Sequence, residues 1–232
     1  MRKNRQQAGL TLMELMVAMA VLSVLFVAIY NLFSSGLKNS MESSTRADLD
    51  AQTQKVQQLV LSRLKEADKF VSASSVTFSD SQAPSSTAYL PASTLTASQI
   101  VIVRVPSKAT SALCDLYAYY IVPASNLMAT TLPLQRRLNV ASSGAYALIQ
   151  GKAATSYTCS SGSYPNITSL SVLHPSLANS NGFSASVYSI AGMKRGMTLI
   201  LKGYQKVGSK TISTNTYQTK VLARNCDATT GC

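Results

Sequence analysis

Apolar residues are distributed along this chain in three regimes. From Leu10 to Phe33 they are nearly continuous, interrupted only by Thr11, Glu14, Ser23, Tyr30 and Asn31. At 1.5 Å per residue this run predicts about 36 Å of helix, enough to cross a hydrocarbon core ~30 Å thick. From Leu37 to Val71 the composition turns polar, yet Leu49, Val56, Leu59, Val60, Leu64, Ala67 and Val71 recur at three- and four-residue intervals. That spacing marks a helix with one apolar face. No proline precedes Pro84, so both stretches can form one helix of roughly 60 residues, about 90 Å long. Ser34-Ser35-Gly36 is its expected point of bending or melting.

Beyond Val71 the helical period is lost. Ser72 to Ser98 is rich in Ser, Thr and Ala, with Pro84 and Pro91, and predicts a long surface loop. Short β-branched and aromatic runs follow: Ile100 to Val105, Leu116 to Val122, Ala145 to Gln150, Leu170 to Leu173, Ala185 to Ile190, Met197 to Lys202 and Thr211 to Ala223. These predict strands. Met197–Leu201 and Tyr217–Asn225 read as a hairpin across the Gly203–Ser209 region. An antiparallel sheet packed on the amphipathic half of the helix would bury both apolar faces, an α+β architecture.

The start of the chain carries its most specific signal. Residues 1–9 hold Arg2, Lys3 and Arg5 and no acid; Gly9-Leu10-Thr11-Leu12-Met13-Glu14-Leu15 follows, with one carboxylate at the head of the apolar run. Acids inside membrane helices are costly and usually have a partner. An ordinary secretory signal has a core of about 7–15 apolar residues before its cleavage site. Here apolar sequence continues past Ala18-Met19-Ala20, so the segment is expected to stay in the mature protein. A plain signal-anchor whose Glu14 reaches the membrane interface is the simpler alternative.

These residues closely resemble the leader and helix start of type IV pilins and of the pseudopilins of type II secretion. The resemblance implies cleavage by prepilin peptidase between Gly9 and Leu10, followed by N-methylation of Leu10. Glu14 becomes the fifth residue of the mature chain, the family's signature acid, while leucine replaces the usual first phenylalanine. Within a chain, the new ammonium at Leu10 and the Glu14 carboxylate lie four residues apart at a positive helix end. In a filament, Glu14 can instead meet the ammonium of a neighbouring subunit, and in a low dielectric such pairing would set axial register. The long headgroup and the final Ala223-Arg224-Asn225 resemble PilW-like minor pilins and J-type minor pseudopilins, subunits that prime assembly. The implied fold is the pilin fold. Its parts are a cytoplasmic leader (1–9), a membrane or filament-core helix (10–33), an amphipathic helix (34–71) and an exported β-rich headgroup (72–232).

Charge and cysteines refine this picture. The chain carries 21 basic and 9 acidic residues, a formal charge of +12. Losing Arg2, Lys3 and Arg5 with the leader would leave +9. The basic leader contrasts with the nearly balanced Lys38, Glu42, Arg46, Asp48 and Asp50, which places the N-terminus in the cytoplasm and the headgroup outside the inner membrane. No acid falls between Asp115 and Asp227. The basic run Lys194, Arg195, Lys202, Lys206, Lys210, Lys220 and Arg224 makes DNA a candidate partner; a solvated charged face is the plainer alternative.

Four cysteines in an exported domain favour disulfides. The expected pairs are Cys226–Cys232, around a turn-forming glycine, and Cys114–Cys159. Zinc binding lacks the short Cys-x-x-Cys spacing. One histidine, His174 beside Pro175, reads as a turn or strand end, and the headgroup has almost no paired carboxylates. Asp227 alone supplies too few oxygens for calcium. A non-enzymatic subunit without cofactor or metal is therefore expected. It would partner the peptidase, the inner membrane and other major and minor pilins through the helix. The expected function is a minor type IV pilin; the alternatives are a minor type II secretion pseudopilin and a filament-borne DNA-binding subunit.

Overall fold

A computed structural model describes residues 11–82, 87–93, 95–108, 110, 112–128, 132, 144–178, 181–190, 193–207 and 210–225. They fall into two compact units that divide between Thr45 and Arg46. The first contains the N-terminal part of helix α1, which spans Leu12–Glu66. The helix continues through Ser34-Ser35-Gly36 rather than melting there. Ser35 returns its hydroxyl to the Leu32 carbonyl at 3.0 Å, so the serine does not draw the backbone out of its helical bonding.

The second unit begins on the same helix. Leu49, Thr53, Val56, Gln57, Val60 and Leu64 form its buried stripe. Leu59, expected on that stripe, remains 39 % exposed, while Thr53 and Gln57 take buried places. The helix also ends earlier than the expected Val71. Lys69–Val71 forms strand β1, which pairs with β2 (Ile100–Pro106). The amide of Asp68 already donates to the Arg104 carbonyl, and the Arg104 Nε–H donates to the Asp68 carboxylate at 2.9 Å. Sheet pairing takes over the chain there before another helical turn can form.

Sheet 1 runs β1-β2-β3-β4-β6 and is antiparallel throughout, with β3 at Leu113–Pro123, β4 at Ala145–Ala153 and β6 at Ile167–Ala178. A short β5 (Tyr157–Thr158) pairs with the start of β3. Helix α2 (Ala124–Leu127) follows β3. Sheet 2 holds β7 (Phe183–Ile190), β8 (Met193–Leu201) and β11 (Tyr217–Leu222) in the order β11-β8-β7. The expected pairing of the last long strands is present, with Tyr217 opposite Leu201. It is not one run over a turn, however: β9 (Tyr204–Val207) and β10 (Lys210–Ser213) form a small hairpin between them.

Two apolar layers flank sheet 1. On one side Val56, Val60, Leu64 and Ala67 of the helix region pack with Val101, Val103, Tyr119, Ile121 and Leu148, and with Phe183, Leu199, Leu201 and Val221 of sheet 2. On the other, Ile102, Leu116, Tyr120 and Ile149 are covered by Val76, Tyr89, Phe78 and Leu90. The described residues of the expected Ser72–Ser98 loop thus cover the sheet as well as connect its strands. Tyr89 is 1 % exposed, and its carbonyl accepts the Tyr120 hydroxyl. Burial on both faces explains why β2 and β3 read as continuous apolar runs rather than alternating ones.

Strand β6 is longer than expected and passes through Pro175. Proline removes one backbone donor, which a strand closing the sheet at a register shift tolerates. That shift lies between Tyr146 and Leu148 of the partner strand. His174 is consequently inside β6, wholly buried, and not at a turn or strand end.

The helix phase can be tested by truncation. Leu64→Ala should cost about 2–5 kcal/mol of stability, as for other fully buried leucines. Leu59→Ala should cost under about 1 kcal/mol. Equilibrium denaturation of the full chain in detergent distinguishes them, and equal losses would contradict the observed phase.

Candidate functional site: the N-terminal helix

Apolar side chains are exposed on every side of α1 from Leu12 to Phe33, among them Leu15 at 57 %, Phe26 at 64 % and Leu32 at 74 %. A helix apolar all round is stable only inside a bilayer or among other apolar helices. By length and composition this one can cross a membrane. The serine within this run is satisfied locally: Ser23 donates to the Ala20 carbonyl at 2.7 Å. That self-satisfaction is what a low-dielectric surrounding requires.

The single carboxylate of the segment has a defined setting. Thr11 precedes the first helical residue, and its backbone N–H donates to Glu14 Oε2 at 3.0 Å. The Thr11 hydroxyl lies 3.1 Å from the same oxygen, and the Glu14 N–H reaches Thr11 Oγ1 at 3.3 Å. Thr11-Leu12-Met13-Glu14 is therefore a capping box, in which threonine and acid satisfy each other's backbone donors. The Thr-x-x-Glu spacing was readable from the sequence, and sequence reasoning that looked only for a charge partner missed it. The arrangement fixes the rotamer of Glu14 at the positive end of the helix. It occupies one carboxylate oxygen with Thr11, while Oε1 has no hydrogen bond to another described residue.

Gly9 and Leu10, expected to flank the cleavage point, lie outside the described residues, as do Cys226, Cys232 and Asp227. Cys114 and Cys159 are joined by a disulfide that links β3 to the segment after β5. Arg104 ties this region to the helix end: besides Asp68, it donates through Nη1 to the Cys159 carbonyl. Its guanidinium pKa is raised, chiefly by the hydrogen bond to Asp68.

The basic residues do not gather on one strand face. Lys206 and Lys210 occupy positions of opposite parity in the β9–β10 register, opposite Thr211 and Val207 respectively. Lys220 lies on β11 of a different sheet, opposite Thr198. Lys202 falls just after β8, and the Arg224 amide is bound to the Lys65 carbonyl. Lys194 and Arg195 belong to β8. Among the described residues, no three His, Cys, Asp or Glu side chains come together as metal ligands.

One comparison with known proteins bears on this site. The family model described as the prokaryotic N-terminal methylation motif matches residues 4–30. No curated protein and no solved structure matches the chain. The N-terminal segment is thus type IV pilin-like, of the kind that prepilin peptidase processes and that assembles with other pilins. The long helix followed by antiparallel sheets is the corresponding pilin-like α+β architecture.

Thr11→Val removes the capping hydroxyl and should cost about 1 kcal/mol of local helix stability. Hydrogen exchange at the Glu14 amide should then accelerate roughly fivefold while amides beyond Ser23 are unchanged. An unaltered Glu14 amide would show that the cap does not form.

Proposed function

We propose that the protein is a minor type IV pilin, a structural subunit trimmed after Gly9, N-methylated on Leu10 and inserted through its first helix into a filament it helps to initiate. The supporting observation is the uncovered apolar helix with one carboxylate held at its start. Everything else exposed along Leu12–Phe33 can be buried by lipid before assembly and by neighbouring helices afterwards. Glu14 is the exception, because lipid tails offer it no partner. The ammonium of a processed neighbour does, and proximity between the two would set the axial stagger of subunits. The basic leader and the balanced charge that follows the apolar run support a cytoplasmic N-terminus and a headgroup outside the inner membrane.

A minor pseudopilin of a type II secretion system uses the same helix chemistry, and the two readings separate at the level of the deletion strain. Loss of surface pili with normal protein secretion supports the pilus assignment; the reverse pattern assigns the subunit to secretion. A DNA-binding role draws on the net charge alone, since the lysines are spread over separate strands and sheets.

Processing is the first test. Mass spectrometry of the mature chain should find N-methylated Leu10 as the first residue, and a peptidase-deficient strain should retain Met1 to Gly9. An intact leader in both strains would leave only a membrane-anchored β-rich domain. Glu14→Ala should leave insertion and cleavage unchanged and reduce recovery of the subunit in sheared filaments by tenfold or more. Undiminished recovery would remove the register role.

A further inference from the structure

The one histidine of the chain sits where helix and sheets meet within the second unit, and it has no solvent exposure. Its Nδ1 accepts the backbone N–H of Ser176 at 3.2 Å. Nδ1 therefore carries no proton, and in the neutral ring the hydrogen resides on Nε2. Nε2 lies 3.2 Å from Thr53 Oγ1, and the Thr53 hydroxyl in turn donates to the Leu49 carbonyl at 2.7 Å. A directed chain runs from β6 through His174 and Thr53 into the helix backbone. Gly203 closes it from the side: a Cβ there would stand 2.6 Å from Thr53 Oγ1 and 3.1 Å from Leu49 Cγ. Only a glycine lets the backbone after β8 approach the helix this closely.

We propose that His174, Thr53 and Gly203 form an acid-labile latch, so that protonation of the histidine releases the Leu49–Gln57 segment of the helix from β6 and the backbone at Gly203. The geometric reason is that a second proton has only Nδ1 to go to. There it would face the Ser176 N–H, setting donor against donor, and create a buried cation without an anion. Burial alone lowers the pKa of His174, to about 4. The charged and titratable groups of the surrounding elements do not alter it: Asp48, Asp50 and Lys55 on α1, Tyr146 and Lys152 on β4, Lys202 after β8, and Tyr204 and Lys206 on β9. Asp50, the acid nearest along the helix, accepts the Tyr217 hydroxyl instead.

The sign follows from linkage. A histidine whose folded pKa is depressed is neutral in the closed form but protonates near pH 6.5 once released. Closure is fully favoured above about pH 6.5 and weakens as pH falls toward 4. Between pH 7 and pH 5 the open population should grow roughly 20-fold.

Hydrogen exchange on the full chain in detergent, corrected for intrinsic rates, reads this directly. Protection of the Leu49–Gln57 amides should fall roughly 20-fold from pH 7 to pH 5, with Tyr119–Ile121 in sheet 1 unchanged. His174→Gln, which keeps a donor toward Thr53 and cannot titrate, should hold the change below about threefold. Gly203→Ala should loosen the same amides already at pH 7. A drop shared by sheet 1, or one equal in His174→Gln, overturns the latch. Should His174→Gln not fold, the lone histidine ring signal decides: a midpoint near pH 4 with concurrent loss of helix protection supports the latch. A midpoint near 6.5, or titration without loss of protection, overturns it.

Discussion

The carboxylate of Glu14 is the constraint on which the functional account depends. It is the only charge in an otherwise apolar helical run, and nothing in the second unit is required to explain it. The capping box gives it a resting place: Thr11 holds the side chain at the helix start, so a solitary subunit in the membrane does not carry a wholly unsatisfied acid. This changes the energetic problem of assembly. A neighbour's ammonium need not rescue an abandoned charge; it competes with, or adds to, an existing local hydrogen-bond set. A carboxylate has room for both, because its second oxygen can accept an incoming donor.

The second unit shows how one amphipathic helix organises two sheets. Apolar side chains from Val56 to Leu64 meet inward faces of both. Polar residues on the stripe and beside it select register: Gln57 donates to Thr219 at 2.6 Å and Thr53 meets His174, while the flanking Gln54 and Asp50 meet Tyr217. Apolar contacts are permissive about sliding, whereas these hydrogen bonds are satisfied only at one helical phase. The residues that cover the other face of sheet 1 complete the unit by burying Tyr120 and Ile149.

Much of this was legible in the sequence. The continuous apolar run and the three- and four-residue spacing gave the helix, and β-branched runs located most strands. The misses have physical causes. Thr53 and Gln57 escape a pattern of apolar spacing because they are polar, yet each finds a partner from a strand more than a hundred residues away. The helix end at Glu66 depended on Arg104 capturing Asp68, a long-range pairing invisible to local periodicity. Pro175 makes β6 look short because proline ordinarily ends a strand, although a register shift accommodates it here. Tyr89 looked like loop sequence because its burial comes from a sheet that forms later in the chain. At the N-terminus the motif was plain, but its capping geometry was overlooked in favour of its charge.

The claim that Glu14 meets the terminal amine of a different subunit is open to direct chemical test. Zero-length carbodiimide coupling of membranes or filaments from mixed isotope-labelled and unlabelled cells, followed by mass spectrometry, would trap such a contact as an amide bond. The account predicts a peptide joining the Leu10 amine of one chain to Glu14 of another chain, of this subunit or a sister pilin, and its absence in Glu14→Gln. Linkage found only within single chains, or the same products from Glu14→Gln, would contradict it.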